Sequence, residues 1–403
     1  MILKETIAEV TDHHTGLIHN QSNDTSRECL SELKIYDSFV LVISGVRRCG
    51  KSTLIKQLLK SRQESAMLLN FEDPRLSGFE LADFTKLDTM AVEKSWEIMA
   101  FDEIQHITGW EKYIRSKVGS RQKIIITGSN ASLLSREFGT SLTGRHITKE
   151  LFPFSYSEFL LFLGLSPGAD SLMNYSDHGG FPEYLKIRDE EILYRLMDDI
   201  IFRDIAVRYG IRQHQMLRQL TVYMISNIGK RYSLNNLRKV FGFGSVRSVA
   251  DYISWMEDSY LIFSLPKFSY SIKKTIVNPR KVYCIDNGLV NVNSLSFSRD
   301  PGRKLENLVY LHLRRNHTEL YYYSEKWECD FVIVEKGQPV KAIQVCYHLD
   351  SDNLDREIRG LEEAMSDLKI SQAVIVTFDQ EDSFNIGATE VKAIPAWKYL
   401  ART

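Results

Sequence analysis

The chain has 403 residues, of which 43% are hydrophobic and 26% charged, and its formal net charge is −1. That length suits two to four globular domains, and near-neutrality excludes a protein that coats nucleic acid by bulk charge, leaving any such contact to a local basic face. No apolar run approaches the roughly 18 residues of a membrane span, and Lys4, Glu5, Glu9 and Asp12 break up the basic-then-apolar layout of a secretory signal, so a cytoplasmic location with no membrane partner is expected.

The first informative element is the apolar run at residues 39–43, followed by Gly45, Val46, Arg47, Arg48, Cys49, Gly50, Lys51 and Ser52. This is the full phosphate-loop pattern G-x-x-x-x-G-K-[ST] with a strand before it and a helix, beginning near Thr53, after it. Two glycines let the backbone curl so that successive N–H groups face an anion, and the helix turns its positive end toward the same point. A nucleoside triphosphate is the expected ligand, with Lys51 reaching its β- and γ-phosphates and Ser52 offering a hydroxyl to Mg²⁺.

Residues 66–71 read as a buried parallel strand that ends in a turn at Glu72, Asp73 and Pro74. Residues 98–101 form a second apolar run that closes on Asp102 and Glu103, the pattern of a Walker B strand: Asp102 for Mg²⁺, Glu103 to polarise the attacking water. A third run at residues 123–127 ends in Gly128, Ser129 and Asn130, and it resembles the sensor strand of the additional-strand class of P-loop ATPases. Asn130 or Ser129 would then orient the water, the alternative being a plain strand-ending turn. Arg145, in the segment 142–146, is the candidate arginine for transition-state charge, against a surface or interface role.

From Gly179 onward apolar residues recur at helical spacing to about residue 205, which is read as a helical lid. Two further helices follow, at residues 216–225 and after Ser233, an N-cap residue, and a third begins at Ser245 behind the Gly242 and Gly244 turn. With the strand at 261–265 and a basic hairpin carrying Lys267, Lys273, Lys274, Arg280 and Lys281, this reads as a winged helix-turn-helix whose wing faces phosphates, Arg247 and Ser248 opening its recognition helix. The alternative is a protein-binding module with a solvated lysine face. The five cysteines, Cys29, Cys49, Cys284, Cys329 and Cys346, show no metal-ligand spacing and are expected as free thiols.

After residue 284 the pattern returns to α/β: an amphipathic helix with Glu306, a strand pair containing Asp330 and Gln344, a helix near 356–361 and a strand at 373–377. A helix glutamate, a strand aspartate and an acid-x-lysine on the neighbouring strand resemble the metal site of restriction-endonuclease-like nucleases. Here Gln344 replaces the acid and Cys346 the lysine, so the fold is expected and cleavage is not.

Taken together, the Gly45 to Thr53 loop, the Asp102–Glu103 pair, the turn Gly179-Gly180-Phe181-Pro182-Glu183 and the positions Glu306, Asp330, Ile343, Gln344, Val345, Cys346 and Tyr347 resemble a family of prokaryotic AAA-type ATPases with a C-terminal domain built on a restriction-endonuclease-like core. The resemblance covers nearly the whole chain. The residues are divided into an ATPase core at 1–160, a helical lid at 161–212, a winged helix at 213–283 and a degenerate nuclease-like domain at 284–403. The resemblance implies ATP rather than GTP as ligand with Mg²⁺, slow hydrolysis, action on double-stranded DNA or a protein partner, and homo-oligomers in which a neighbour supplies an arginine. The main expectation is a nucleotide-driven switch or remodeller. A nucleotide-binding scaffold with negligible turnover and an ATP-gated nuclease are the alternatives.

Overall fold

In the computed structural model, which describes residues 1–18, 25–130, 144–295, 300–387 and 389–401, the apolar runs of the first 150 residues become strands. They are β1 (Val40–Ser44), β2 (Ala66–Asn70), β3 (Ile98–Asp102), β4 (Lys123–Gly128) and β5 (His146–Glu150), all parallel, in the order β2-β3-β4-β1-β5. The insertion of β4 between β1 and β3 sets Ser129 and Asn130 between the phosphate loop and Asp102, at the carboxyl edge where open parallel sheets bind ligands. Alternate residues Val42, Met67, Phe101 and Ile126 share a core with Phe84, Leu87, Trp110 and Tyr113 from the helices Phe84–Glu93 and Trp110–Lys117. The rings of Phe84 and Tyr113 stack with centroids 3.9 Å apart.

The helix Lys4–Gly16, absent from the sequence reading, closes the open side of β2. The Leu68 and Asn70 amides, which a sixth strand would otherwise pair, donate to Thr15 Oγ1 at 3.1 Å and to His14 Nδ1 at 3.2 Å. Leu142 and Thr143, read with Arg145, lie outside the described residues.

Met1–Phe152 make one compact unit and Pro153–Thr403 a second. The second opens with the helices Tyr156–Leu163, Ala169–His178, Pro182–Ile187 and Glu191–Asp199, the last running on as a π-helical stretch over Ile200–Val207. Gly179 and Gly180 earn their places by close approach: a Cβ at Gly179 would sit 2.1 Å from Asp286 Oδ1, and one at Gly180 2.3 Å from the Phe154 carbonyl oxygen. Asp286 receives the Gly180 amide at 2.6 Å and the Leu289 amide at 3.1 Å, and so ties this turn to the helix Asn287–Asn293 that it caps.

Next come the helices His214–Ile225, Leu234–Phe241 and Val246–Asp258, with Ser233 and Ser245 capping the latter two. A small antiparallel sheet accompanies them, β6 (Arg231–Tyr232), β7 (Ile262–Leu265) and β8 (Arg280–Cys284), in the order β6-β8-β7. The expected hairpin between β7 and β8 instead contains a short helix, Ile272–Val277, carrying Lys273 and Lys274. Two of the five cations expected on a wing are not available to phosphates. Lys281 is 1% exposed, on a strand whose residues 281–284 are buried on both faces, and Lys267 is paired with Glu325 at 2.8 Å.

The C-terminal sheet comprises β9 (Leu320–Ser324), β10 (Glu328–Glu335), β11 (Gln338–Cys346), β12 (Ala373–Thr377), β13 (Asp382–Ile386) and β14 (Thr389–Pro395), in the order β13-β14-β12-β11-β10-β9. β11, β12 and β14 run parallel while β9, β10 and β13 pair antiparallel with their neighbours. Pro301–Asn316 and Leu354–Leu368 are its long helices. Gly360 lets the second of these touch the sheet, since a Cβ there would lie 2.1 Å from the Glu328 carbonyl oxygen.

Candidate functional site

The phosphate loop is held in shape by its glycines and by one buried arginine. A Cβ on Gly45 would stand 2.1 Å from the Leu151 carbonyl oxygen, and Leu151 in turn donates its amide to Ser44 at 2.7 Å, so the loop leaves β1 hard against the end of β5. Gly50 (φ +102°) and Arg48 (φ +62°) take left-handed conformations on either side of buried Cys49. Arg27, 4% exposed, donates to the Cys49 carbonyl at 2.8 Å and to the Phe152 carbonyl at 2.7 Å. Gly50 then opens the helix Lys51–Lys60 with no side-chain cap, leaving its first amides directed into the loop.

Lys51 lies inside that loop. Its Nζ donates to the Gly45 and Val46 carbonyls at 3.2 and 3.3 Å and pairs with Glu103 Oε1 at 3.3 Å. Burial works against its charge, yet Glu103, Cys49 and Asp102 together hold its pKa above the ordinary lysine value. Asp102, almost wholly enclosed, is pushed up by burial and by the Glu103 charge, while hydrogen bonds from Ser52 and Thr127 oppose the shift. Thr127 on β4 also accepts the Glu103 amide at 2.9 Å, so one hydroxyl braces both acids. Glu103 itself has φ +52° and receives a hydrogen bond from Gln105. A non-glycine residue in that region costs about 1–3 kcal/mol and persists where its surroundings impose it.

The structure therefore brings together Gly45 through Thr53, Asp102 and Glu103, with fully buried Asn130 at the end of the intervening strand. It does not bring Arg145 to them. The Arg145 carbonyl accepts from Val40 and His146 pairs with Val40, so the exposed Arg145 precedes β5 at the end of the sheet opposite the loop, about 13 Å away along β1.

Sequence reasoning missed Arg27, Thr127 and Gln105. It also missed a polar group beside Glu103. Glu72 pairs with Arg47 at 3.2 Å and lies 3.7 Å from His106, and Glu72, Glu103 and His106 offer oxygen and nitrogen atoms within 4.8 Å of one another. His106, with Arg47 beside it, lowers the Glu72 pKa to about 2 against a partial burial that would raise it.

The residues fit a triphosphate and a hard divalent cation. A buried ammonium and uncapped helix amides suit phosphate oxygens, and a serine hydroxyl hydrogen-bonded to a carboxylate is the oxygen pair that Mg²⁺ takes in this class.

In the second unit, Glu306, Asp330 and Gln344 do converge. Asp330 Oδ2 accepts the Val345 amide at 3.0 Å, the Gln344 side-chain oxygen accepts the Asp330 amide at 3.2 Å, and its nitrogen donates to Glu357 at 2.5 Å. Cys346 supplies no cation: burial pushes its thiol up to about 11, and Sγ donates to the His348 carbonyl at 3.1 Å.

Residues 37–160 match the model of an AAA domain, residues 169–299 that of a domain of unknown function (DUF8612), and residues 301–399 that of a second (DUF4143). A parallel sheet with an added central strand, a complete phosphate loop and this match define the class: an AAA-type P-loop ATPase core followed by a C-terminal domain of unknown function. The chain belongs to the same family as the uncharacterized protein MJ1544 of Methanocaldococcus jannaschii, with which it is 36% identical over 91% of its own length and 89% of the relative's. An uncharacterized protein of Haemophilus influenzae is 29% identical over 78% of this chain and 86% of its own. A solved structure of C. elegans PCH-2 matches at 15% identity over 62% of this chain and 68% of that one, with a TM-score of 0.25, too low to define shared architecture. Among the described residues no helix is long and apolar enough to cross a membrane.

Proposed function

We propose that the chain binds ATP with Mg²⁺ at the Gly45–Thr53 loop and hydrolyses it slowly, using the nucleotide state to reposition its C-terminal unit on a DNA or protein partner. The observation that carries this reading is the meeting of Lys51, Ser52, Asp102 and Glu103 at one sheet edge, on a loop shaped for an anion. Lys51 holds the terminal phosphates, Ser52 and Asp102 hold the cation, and Mg²⁺ when bound neutralises phosphate charge. Glu103 takes the proton from the attacking water, and Asn130, with Ser129 beside it, positions that water.

Arg145, remote from the loop of its own chain, would serve only from a neighbouring copy in a homo-oligomer. Residues 213–283 are read as a winged helix, with Lys273, Lys274, Arg280 and Arg247 as its remaining cations toward double-stranded DNA. Residues 161–212 are read as a lid and 284–403 as a restriction-endonuclease-like domain without cleavage. The assignment of the protein to the cytoplasm belongs to the same proposal.

The test is steady-state ATP hydrolysis by the full chain, with and without duplex DNA, beside Glu103→Gln. Turnover that rises with DNA and disappears in the variant supports a DNA-coupled ATPase; turnover indifferent to DNA directs the search to protein partners. Wild-type turnover no greater than that of Glu103→Gln overturns the hydrolase reading and leaves a nucleotide-binding scaffold.

A further inference from the structure

Strand β8 alternates in the usual way, so Lys281 and Tyr283 project to one side, and in this fold that side is interior. The Lys281 ammonium meets three carboxylates there: Glu306 Oε1 at 2.9 Å, Glu328 Oε1 at 2.7 Å and Asp330 Oδ1 at 2.8 Å. An ammonium has three N–H donors, and all three are used. Each acid has a further partner. Glu306 Oε1 also accepts the Tyr283 hydroxyl at 2.6 Å, Glu328 pairs with Arg231, and the second oxygen of Asp330 takes the Val345 amide.

Glu306, on the helix Pro301–Asn316, and Asp330, on β10, stand at the positions where a restriction-endonuclease-like core would hold a divalent metal, and Glu328 lies two residues before Asp330 on the same strand. We propose that the Lys281 ammonium is the resident cation of this pocket, in the place of that metal, so that the C-terminal domain neither binds Mg²⁺ here nor cleaves a phosphodiester. The inference rests on the nuclease-like reading of the domain and is independent of the ATPase reading.

The donor set does not fit Mg²⁺. That ion demands near-octahedral oxygens at about 2.0–2.1 Å and surrenders its water reluctantly, whereas Glu306, Glu328 and Asp330 each already turn an oxygen to the Lys281 ammonium. Entry of the metal would strand an ammonium whose side chain is 2% exposed, and a buried charge without its partner is strongly destabilising. What the ammonium does instead is structural. It fastens β8, in the sheet that follows the three helices, to the helix and strand of the C-terminal domain, and the Arg231–Glu328 and Lys267–Glu325 pairs fasten the same sheet at its flank.

The experiment is a Mn²⁺ titration of the nucleotide-free full chain, with free Mn²⁺ read by electron paramagnetic resonance, on wild type, Asp330→Asn, Lys281→Met and the Lys281→Met/Asp330→Asn double variant. Wild type and Asp330→Asn are expected to titrate alike, which removes any contribution from acids elsewhere. Lys281→Met is expected to bind one Mn²⁺ more than wild type, and the double variant to lose it. A wild-type site that disappears in Asp330→Asn overturns the proposal, as does a folded Lys281→Met that gains no ion. Should Lys281→Met fail to fold with three buried carboxylates, Lys281→Met/Glu306→Gln carries less uncompensated charge, and the wild-type comparison still decides.

Discussion

Replacing Glu103 by glutamine should do two things at once: abolish turnover and tighten nucleotide binding. The Lys51 ammonium is engaged by Glu103 at 3.3 Å, with side-chain exposures of 3% and 11%. Two unit charges at that separation attract by about 5 kcal/mol at an effective dielectric constant of about 20. Most of this is offset by the cost of keeping both charges out of water, and couplings between neighbouring residues usually measure about 0.5–3 kcal/mol. Lys51 must yield part of this interaction to reach a phosphate. Removing the glutamate charge should therefore return about 1–2 kcal/mol to binding, about a 5- to 30-fold lower Kd. Calorimetric titration with a non-hydrolysable ATP analogue and Mg²⁺ avoids the confounding effect of turnover. An unchanged or weaker affinity in a folded Glu103→Gln would refute the idea that the pair restrains Lys51.

Gly45→Ala drives a methyl against the Leu151 carbonyl, with the Cys49 sulfur also close, and should cost about 1–3 kcal/mol together with most nucleotide affinity; unchanged melting and binding would contradict it. Arg145→Ala should leave the nucleotide affinity of the monomer unaltered, since Arg145 precedes β5 at the far end of the sheet, and a loss of about tenfold in the monomer would place its guanidinium at its own chain's nucleotide after all. Burial pushes Asp286 up to about 6 from an ordinary 3.8, so the folded state binds its proton more tightly and this group's contribution falls as pH rises through that window, by at most about 3 kcal/mol. Asp286→Asn should remove that slope in urea titrations at several pH values, while costing about 1–3 kcal/mol because one of two buried amides loses its acceptor. His312 has the opposite sign. Burial, then Arg315, His317 and Lys341, lower it to about 4, so its contribution is complete above 6.5 and is lost as pH falls to about 4; His312→Phe, keeping the ring against Tyr399, should flatten the acid limb.

The phosphate loop was legible because its requirement is local. Eight consecutive residues specify the backbone path, and the flanking strand and helix are contiguous with them. Asp102 and Glu103 were legible for the same reason, as was the Ser233 cap. What was not legible is whatever depends on register or on distant partners. Arg145 sits only one residue before β5, but whether that is the near or far end of the sheet follows from the pairing of Val40 with His146, which no local pattern encodes. Arg27 contacts carbonyls 22 and 125 residues away, and Thr127 reaches acids 24 and 25 residues back. The glycines at 179 and 180 were recognisable as a turn, but the Asp286 carboxylate that requires them lies 106 residues on from Gly180.

Lys281 shows why such misreadings run in a consistent direction. In the segment Arg280-Lys281-Val282-Tyr283-Cys284, a lysine next to an arginine reads as a solvated edge, and that prior is sound because an unpaired lysine is almost never enclosed. The exception requires enough buried negative charge to compensate it, and here that charge comes from residues 25, 47 and 49 positions later. Those same acids, read without the lysine, look like an incomplete metal site missing its cation. Each half of the cluster thus suggests a different function when taken alone, a DNA-facing wing or a degenerate nuclease. Only the fold, by placing β8 beside β10 and the helix of Glu306, joins the two halves into one compensated pocket.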